Sequence, residues 1–308
     1  MEDFIVSPTK LGAGSYGDVY KVRSKANPEN VFAMKVFRPS VRLGSSHGLL
    51  DSTVRELSCL FALRGHPHIV QMNQVLFYKE DVAVLMGYYP YTLFNVITQR
   101  SPAPTSIVAR ISLQIAEALA YMHDLNWIHR DLTASNVMLT EDLTVKVGDM
   151  GLSRNVADWM SGETVTAPYR APELFTCDDA TKSYTNAIDM WSLGVLIAEL
   201  LEHRVWLFRN KRAGRIVYTT SEILQQVFEP EEYKKTGKKP AVFNIEGVLS
   251  RVIQKETAIK DVVFQLLTVD PGDRLTARGF LAQKRWRSLS KTVTPDEINV
   301  ITTEIHNV

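Results

Sequence analysis

The chain has 308 residues, 45% of them hydrophobic and 22% charged, and 35 Lys and Arg against 34 Asp and Glu leave a formal charge of +1. That length suffices for a sizeable core in one large domain or two lobes, and the even charge speaks against a life on nucleic acid or an anionic membrane. Its two cysteines, Cys59 and Cys177, lack metal-ligand spacing, which argues against a disulfide scaffold, a zinc module or an iron–sulfur cluster. The start, Met-Glu-Asp, is acidic where a secretory signal is basic. The most apolar run, Trp191 to Leu201, is interrupted by Glu199 and too short to span a bilayer. The expectation is a soluble intracellular protein of the cytoplasm, the nucleus or both, with no nucleic-acid or membrane partner.

In chain order, Asp18–Val22 and Val31–Phe37 are β-type runs around the turn signal Lys25-Ala26-Asn27-Pro28, which predicts a hairpin. Between Asp51 and Leu63 the period changes, with Val54, Leu57, Leu60 and Phe61 on one helical face. Asp51 or Ser52 is the expected cap, and Gly65 with Pro67 the stop. Two further strands are expected at Val75–Tyr78 and Val82–Met86, closed by Gly87. Beyond residue 91 the pattern turns helical: Ile107, Ile111, Ile115, Leu119 and Met122 form one amphipathic stripe, and Asn186–His203 is apolar nearly all round, as a buried helix is. Residues 209–240 are loop-rich and basic, read as a solvated surface, and the residues after Trp286 are polar, read as a tail. The expected architecture is α+β, a small β-rich N-terminal lobe with one helix followed by a larger helical lobe.

Gly12-Ala13-Gly14-Ser15-Tyr16-Gly17 is a G-x-G-x-x-G, a weak signal alone because dinucleotide folds and plain hairpin turns carry it too. Here a strand rather than a helix follows, which favours a hairpin folded over nucleotide phosphates and leaves the plain turn open. Lys35, inside an apolar strand, must snorkel to solvent or meet an anion; Glu56 on the following helix is the candidate partner. His129-Arg130-Asp131-Leu132-Thr133-Ala134-Ser135-Asn136 and Asp149-Met150-Gly151 then bring two carboxylates and an amide close in sequence. Phosphoryl transfer needs that set: oxygen ligands for magnesium and a carboxylate to orient the attacking hydroxyl.

Taken in order, these motifs resemble those of eukaryotic protein kinases over most of the chain. The resemblance implies a kinase domain over residues 1–287, with an N-lobe to about residue 86, a hinge at 87–90, a C-lobe from 91 to 287 and a tail at 288–308. It implies ATP and Mg2+ as cofactors and a protein as substrate. Gly12, Gly14 and Gly17 would cover the phosphates, and Lys35, paired with Glu56, would bind them. Leu11, Val19, Ala33 and Met138 would enclose the adenine, Met86 would back the pocket, and Gly87 to Tyr89 would form the hinge. Asp131 would be the catalytic base, with Asn136 and Asp149 as metal ligands. Asp189 would steady the catalytic loop, and Arg274 would pair with Glu173 of Ala171-Pro172-Glu173.

Thr166 through Glu173 resembles the group holding cyclin-dependent and MAP kinases, which implies transfer to Ser or Thr. Arg170 is associated there with preference for proline after the target, although Ala167-Pro168 departs from the group's pattern. The helix around Glu56 resembles the cyclin-contacting helix, which implies a cyclin-like activator. Arg55, Arg130 and Arg154 match the family's phosphate-gripping set, with Ser161 and then Thr164 as the candidate phosphorylated residue. Thr133 replaces the lysine usual two residues after the catalytic Asp, so less charge reaches the transferring phosphate. That departure keeps a second reading in view, a pseudokinase scaffold that binds nucleotide or partners without turnover. A kinase of small molecules is disfavoured by Ala171-Pro172-Glu173, which shapes a peptide platform.

Overall fold

The computed structural model describes residues 3–14, 17–39, 49–155, 166–176, 184–205 and 257–306. Five antiparallel strands, β1 (Phe4–Ala13), β2 (Gly17–Ser24), β3 (Val31–Phe37), β4 (Met72–Tyr78) and β5 (Asp81–Gly87), form one sheet in the order β1-β2-β3-β5-β4. The β2–β3 register runs from Gly17 opposite Phe37 to Arg23 opposite Val31, so the expected hairpin is present. Its small core is Val22, Met34, Ala83 and Leu85. Among the described residues this lobe has one helix, α1 (Asp51–Ala62), between β3 and β4 in sequence.

Two expectations about α1 are corrected. Its N-cap is Leu50, with no side-chain cap, while Asp51 sits in the first turn where a carboxylate favours the helix dipole. Its inward face is Thr53, Glu56, Cys59 and Leu60, whereas Val54 and Phe61 are 49% and 57% exposed. Glu56 and Leu60 share the inner face, so Val54 and Phe61 of the expected stripe are left turned to solvent.

The second lobe is built on α2 (Leu93–Thr98), α3 (Thr105–Asp124) and α5 (Ala187–Glu202), with the short α4 (Glu173–Thr176) between the last two in sequence. The stripe Ile107, Ile111, Ile115, Leu119 and Met122 of α3 is fully buried, and α5 is buried along nearly its whole length. Five short strands sit between the main elements. β6 (Tyr91–Thr92), β8 (Val137–Leu139) and β9 (Val145–Val147) form one small sheet, and β7 (Trp127–Ile128) pairs with β10 (Arg154–Asn155). The chain closes with α6 (Thr257–Leu266), α7 (Ala277–Leu281), α8 (Lys284–Ser290) and α9 (Pro295–His306).

The expected polar tail is the other correction. Residues 284–290 are helical around a fully buried Trp286, and α9 buries Ile301 against the lobe. Ile298, Ile301 and Ile305 recur at helical spacing between polar residues, so overall polarity hid an amphipathic helix. The basic stretch 209–240 lies outside the described residues. Among those described, no helix is long and apolar enough to cross a membrane.

Candidate active site

Lys35 is buried on β3 and has Val19 of β2 and Val84 of β5 as cross-strand neighbours. Its ammonium donates to both carboxylate oxygens of Glu56 on α1, at 2.7 and 2.8 Å, and to Asp149 Oδ1 at 3.0 Å. The lysine therefore ties the strand, the helix and the segment after β9 into one ion triad. Burial works against its charge, but the two carboxylates more than offset this and hold the ammonium above its ordinary pKa. At Glu56 burial dominates over the attraction of Lys35, and the pKa is raised. At Asp149 lost hydration would raise the carboxyl, yet Lys35 outweighs it and keeps the group below the usual range.

Asp149 has φ +55°, in the left-handed region that a non-glycine residue adopts only at a cost. β8 and β9 explain its position: Val137 pairs with Val147, and Gly148 N donates to Asn136 O at 2.9 Å, so Asn136 and Asp149 flank the same hairpin end. Asn136 Nδ2 donates to Asp131 O at 2.8 Å and to Asp131 Oδ2 at 3.0 Å, which leaves its amide oxygen for another partner. The two hard oxygen donors so brought together, amide and carboxylate, suit magnesium.

The catalytic-loop candidates are held from below. Asp189, buried on α5, accepts from His129 N and Arg130 N at 2.9 Å each and meets His123 Nε2 at 2.9 Å. Burial would raise its pKa, but the His123 contact and the backbone donors lower it overall. Arg130 adopts φ +70°, and Asp189 is what clamps that strained turn. The contact of Asp189 with the loop was expected from the kinase resemblance. That of His123, a lone histidine in the last turn of a helix, carried no signal.

Thr166, the first described residue after 155, donates from Oγ1 to Asp131 Oδ1 at 2.5 Å and from its backbone N at 3.2 Å. Thr133 is buried, 7% exposed, two residues beyond Asp131. Further along, Arg274 grips both oxygens of Glu173 at 2.7 and 2.9 Å and donates to the carbonyls of Thr268, Val269 and Ala187. The expected pairing is present, and it anchors α4 to the turn before α7.

The expected nucleotide residues sit on β1, β2, β3, β5 and β8 and in the segment just after β5. Gly14 N donates to Gly17 O at 2.9 Å, closing the β1–β2 turn, with Ser15 and Tyr16 outside the described residues. At Gly17 a Cβ would collide with the carbonyl of Val36, so only glycine fits there. Leu11 is 48% exposed, while Val19, Ala33, Met86, Gly87, Tyr89 and Met138 are partly exposed. Ala33 faces Met86 across β3 and β5, and Tyr89 folds back over Gly87.

Of the phosphate-gripping set, Arg130 lies with its guanidinium 5.5 Å from the Tyr184 ring and donates to Leu152 O at 3.3 Å. Burial lowers its pKa, and the like charges of Arg154 and Arg55 add to that, so the three arginines converge. Arg55 also donates to Asp51 O at 3.1 Å. The phosphosite candidates Ser161 and Thr164 lie outside the described residues.

A family model for the protein kinase domain matches residues 5–286. The chain belongs to the protein kinase family. Its relatives include the serine/threonine-protein kinase ssn3 of Aspergillus terreus, 33% identical over 217 residues, which cover 66% of this chain and 48% of that protein. The serine/threonine-protein kinase srb10 of Schizosaccharomyces pombe is 29% identical, over 90% of this chain and 85% of its own. Cyclin-dependent kinase G-2 of Oryza sativa subsp. indica is 33% identical over 91% of this chain and 41% of its own. The kinase domain thus spans about half the length of several curated relatives it matches. A chain in the structure of the CAK complex from Chaetomium thermophilum bound to ATP-γ-S superposes with a TM-score of 0.75 at 26% identity, over 93% of this chain and 91% of that one. The expected kinship with serine/threonine kinases of cyclin-dependent type is borne out, as is the two-lobed α+β fold.

Proposed function

We propose that this protein is an active serine/threonine protein kinase that transfers the γ-phosphoryl group of ATP, with Mg2+, to a hydroxyl of a protein substrate. The observation that carries this reading is the Lys35–Glu56–Asp149 triad, because it couples the phosphate-binding lysine, the helix and the metal-ligand aspartate in one arrangement. The fit to the cofactor rests on chemistry: Asn136 and Asp149 offer hard oxygens, and magnesium bound there supplies charge neutralisation for the phosphates. Lys35 holds the α- and β-phosphates, and the glycine turn covers them. Asp131 accepts a hydrogen bond from the substrate hydroxyl and takes its proton as the bond to phosphorus forms. Thr166, bonded to that carboxylate, supports a Ser or Thr acceptor beside it, and Arg170 supports a preference for proline after the acceptor.

Val54 and Phe61, exposed on α1 beside a half-buried Leu57 and the exposed Leu49, support a cyclin-like activator seated there, as the names of the relatives also suggest. The converging Arg55, Arg130 and Arg154 support an activation-segment phosphate, with Ser161 and Thr164 as acceptors. The test is phosphate transfer from magnesium-ATP to a positional Ser/Thr peptide array, by wild type and Asp131→Asn, with and without a cell extract that could furnish the activator. Signal lost by at least a thousandfold in the variant establishes catalysis, since the base and its orienting contacts are removed together. No transfer in either condition, with ATP still bound, would instead establish a scaffold without turnover.

A further inference from the structure

Helix α9 is held to the C-lobe by two glutamates, one gripping the segment between α2 and α3 and the other the first turn of α3. Glu304 receives the Ser101 hydroxyl on Oε1 at 2.8 Å and the Ser101 backbone N–H on Oε2 at 2.9 Å. One face further back, Glu297 receives the Ser106 hydroxyl on Oε1 at 2.8 Å and the Thr294 N–H on Oε2 at 2.8 Å. Glu297, Ile301 and Glu304 stand at i, i+4 and i+7, so the carboxylates flank the buried isoleucine on one stripe. The last turn adds a contact next to the hinge: Tyr91 Oη is 3.3 Å from the His306 ring, and the two rings meet edge-on.

Ser101 is followed by Pro102. The chain has three Ser-Pro or Thr-Pro pairs, Ser7-Pro8, Ser101-Pro102 and Thr294-Pro295. Ser7 lies within β1, and Thr294 adjoins the start of α9, where its hydroxyl accepts from Glu297 N at 3.3 Å. Ser101 and Thr294 both lie in irregular, exposed backbone, and it is Ser101 whose hydroxyl donates to a carboxylate that holds α9. Proline after it disfavours helical backbone at Ser101, so the residue stays outside α2 and α3 and open to the extended form in which a kinase takes an acceptor peptide.

We propose that Ser101 is a phosphoacceptor for a proline-directed kinase acting in trans, and that its phosphate releases α9 from the C-lobe. In the transfer, Ser101 Oγ forms a bond to the γ-phosphorus of ATP while the bond from that phosphorus to the β–γ bridging oxygen breaks. ADP leaves, and the hydroxyl proton passes to the base of the modifying kinase. The hydroxyl that donated to Glu304 is then a phosphate of about two negative charges, facing a carboxylate it formerly held. The hydrogen bond becomes a like-charge contact on a helix whose other anchors are the Glu297–Ser106 hydrogen bond, the Tyr91–His306 contact and the buried Ile301 with its isoleucine neighbours. Release bares that isoleucine stripe and frees Tyr91 of its ring partner.

The experiment uses the full chain carrying Asp131→Asn, so that its outcome is independent of this protein's own turnover. It is incubated with a purified proline-directed MAP kinase and magnesium-ATP, the phosphate is mapped, and amide hydrogen exchange is followed over residues 295–306. The expected result is incorporation at Ser101 and exchange about tenfold or more faster in α9, with both effects absent when Ser101→Ala is added. Glu304→Gln keeps an acceptor for Ser101 but removes the charge, so its phosphorylated form loosens by less. The proposal is overturned by no incorporation at Ser101 while a Ser-Pro peptide in the same tube is labelled, by incorporation confined to Ser7 or Thr294, or by labelled Ser101 with unchanged exchange. Equal loosening in phosphorylated Glu304→Gln would overturn the repulsion that drives it.

Discussion

Thr133 stands where the kinase resemblance leads one to expect a lysine. It occupies a buried place two positions after Asp131, where a lysine would bring a positive charge to the transferring phosphate. Asp131 itself is well oriented, with Oδ2 fixed by Asn136 and Oδ1 by Thr166. On the proposed mechanism, positioning is intact and electrostatic stabilisation of the transition state is what Thr133 leaves short. In a water-poor cleft one preorganised charge changes kcat substantially. Thr133→Lys is accordingly expected to raise kcat about tenfold, with little change in KM for the peptide. Steady-state kinetics of the two proteins decide it, and an unchanged or lower kcat in the variant refutes the idea that Thr133 limits the chemistry.

At the scale of elements, α1 shows what a pattern in the chain can and cannot say. Val54, Leu57, Leu60 and Phe61 correctly mark a helix, but periodicity names a face without naming what it faces. Leu60 points into the lobe while Val54 and Phe61 point out, because Glu56 must turn inward to reach Lys35. The ionic pairs themselves were legible, Lys35 with Glu56 and Glu173 with Arg274, since each residue stands in a motif whose partner is known from the resemblance. The grip of α9 was not: Ser101 and Glu304 are ordinary polar residues 203 positions apart, and nothing local to either marks the other. The outward stripe of α1 yields a sharp expectation. Phe61→Glu removes a side chain that is 57% exposed, so stability should change by no more than about 0.5 kcal/mol. Activation by the partner should nonetheless fall at least tenfold, read as kinase activity against partner concentration. Equal loss of melting temperature and activity would mean the stripe serves the fold instead.

On the scale of the whole molecule, the two lobes are joined by the segment after α1 as well as by the hinge. Val70 N donates to Val147 O and Val147 N to His68 O, each at 2.9 Å, so this N-lobe segment pairs with β9 of the C-lobe. Its side chains continue the junction onto α3: the His66 ring stacks on Tyr121 with centroids 4.8 Å apart, and His68 Nε2 meets Glu117 at 3.1 Å. His66 Nδ1 accepts the backbone N–H of His68 at 3.2 Å, which requires that nitrogen to be unprotonated. Burial first, then the charges of His68 and Lys146 against the opposing pull of Glu117, hold the His66 pKa below its ordinary value. The folded state therefore binds fewer protons here than the unfolded chain does. The stability this residue contributes is present above the unfolded value, near 6.5, and is lost as pH falls from there through the lower folded value. His66→Asn cannot titrate, yet its side-chain oxygen can still accept from His68 N. Melting temperature followed from pH 7.5 down to pH 5 should then fall less steeply in His66→Asn than in wild type. Parallel profiles would show that the junction takes no part in the acid response, whereas a shallower one locates part of it in a single imidazole where the two lobes meet.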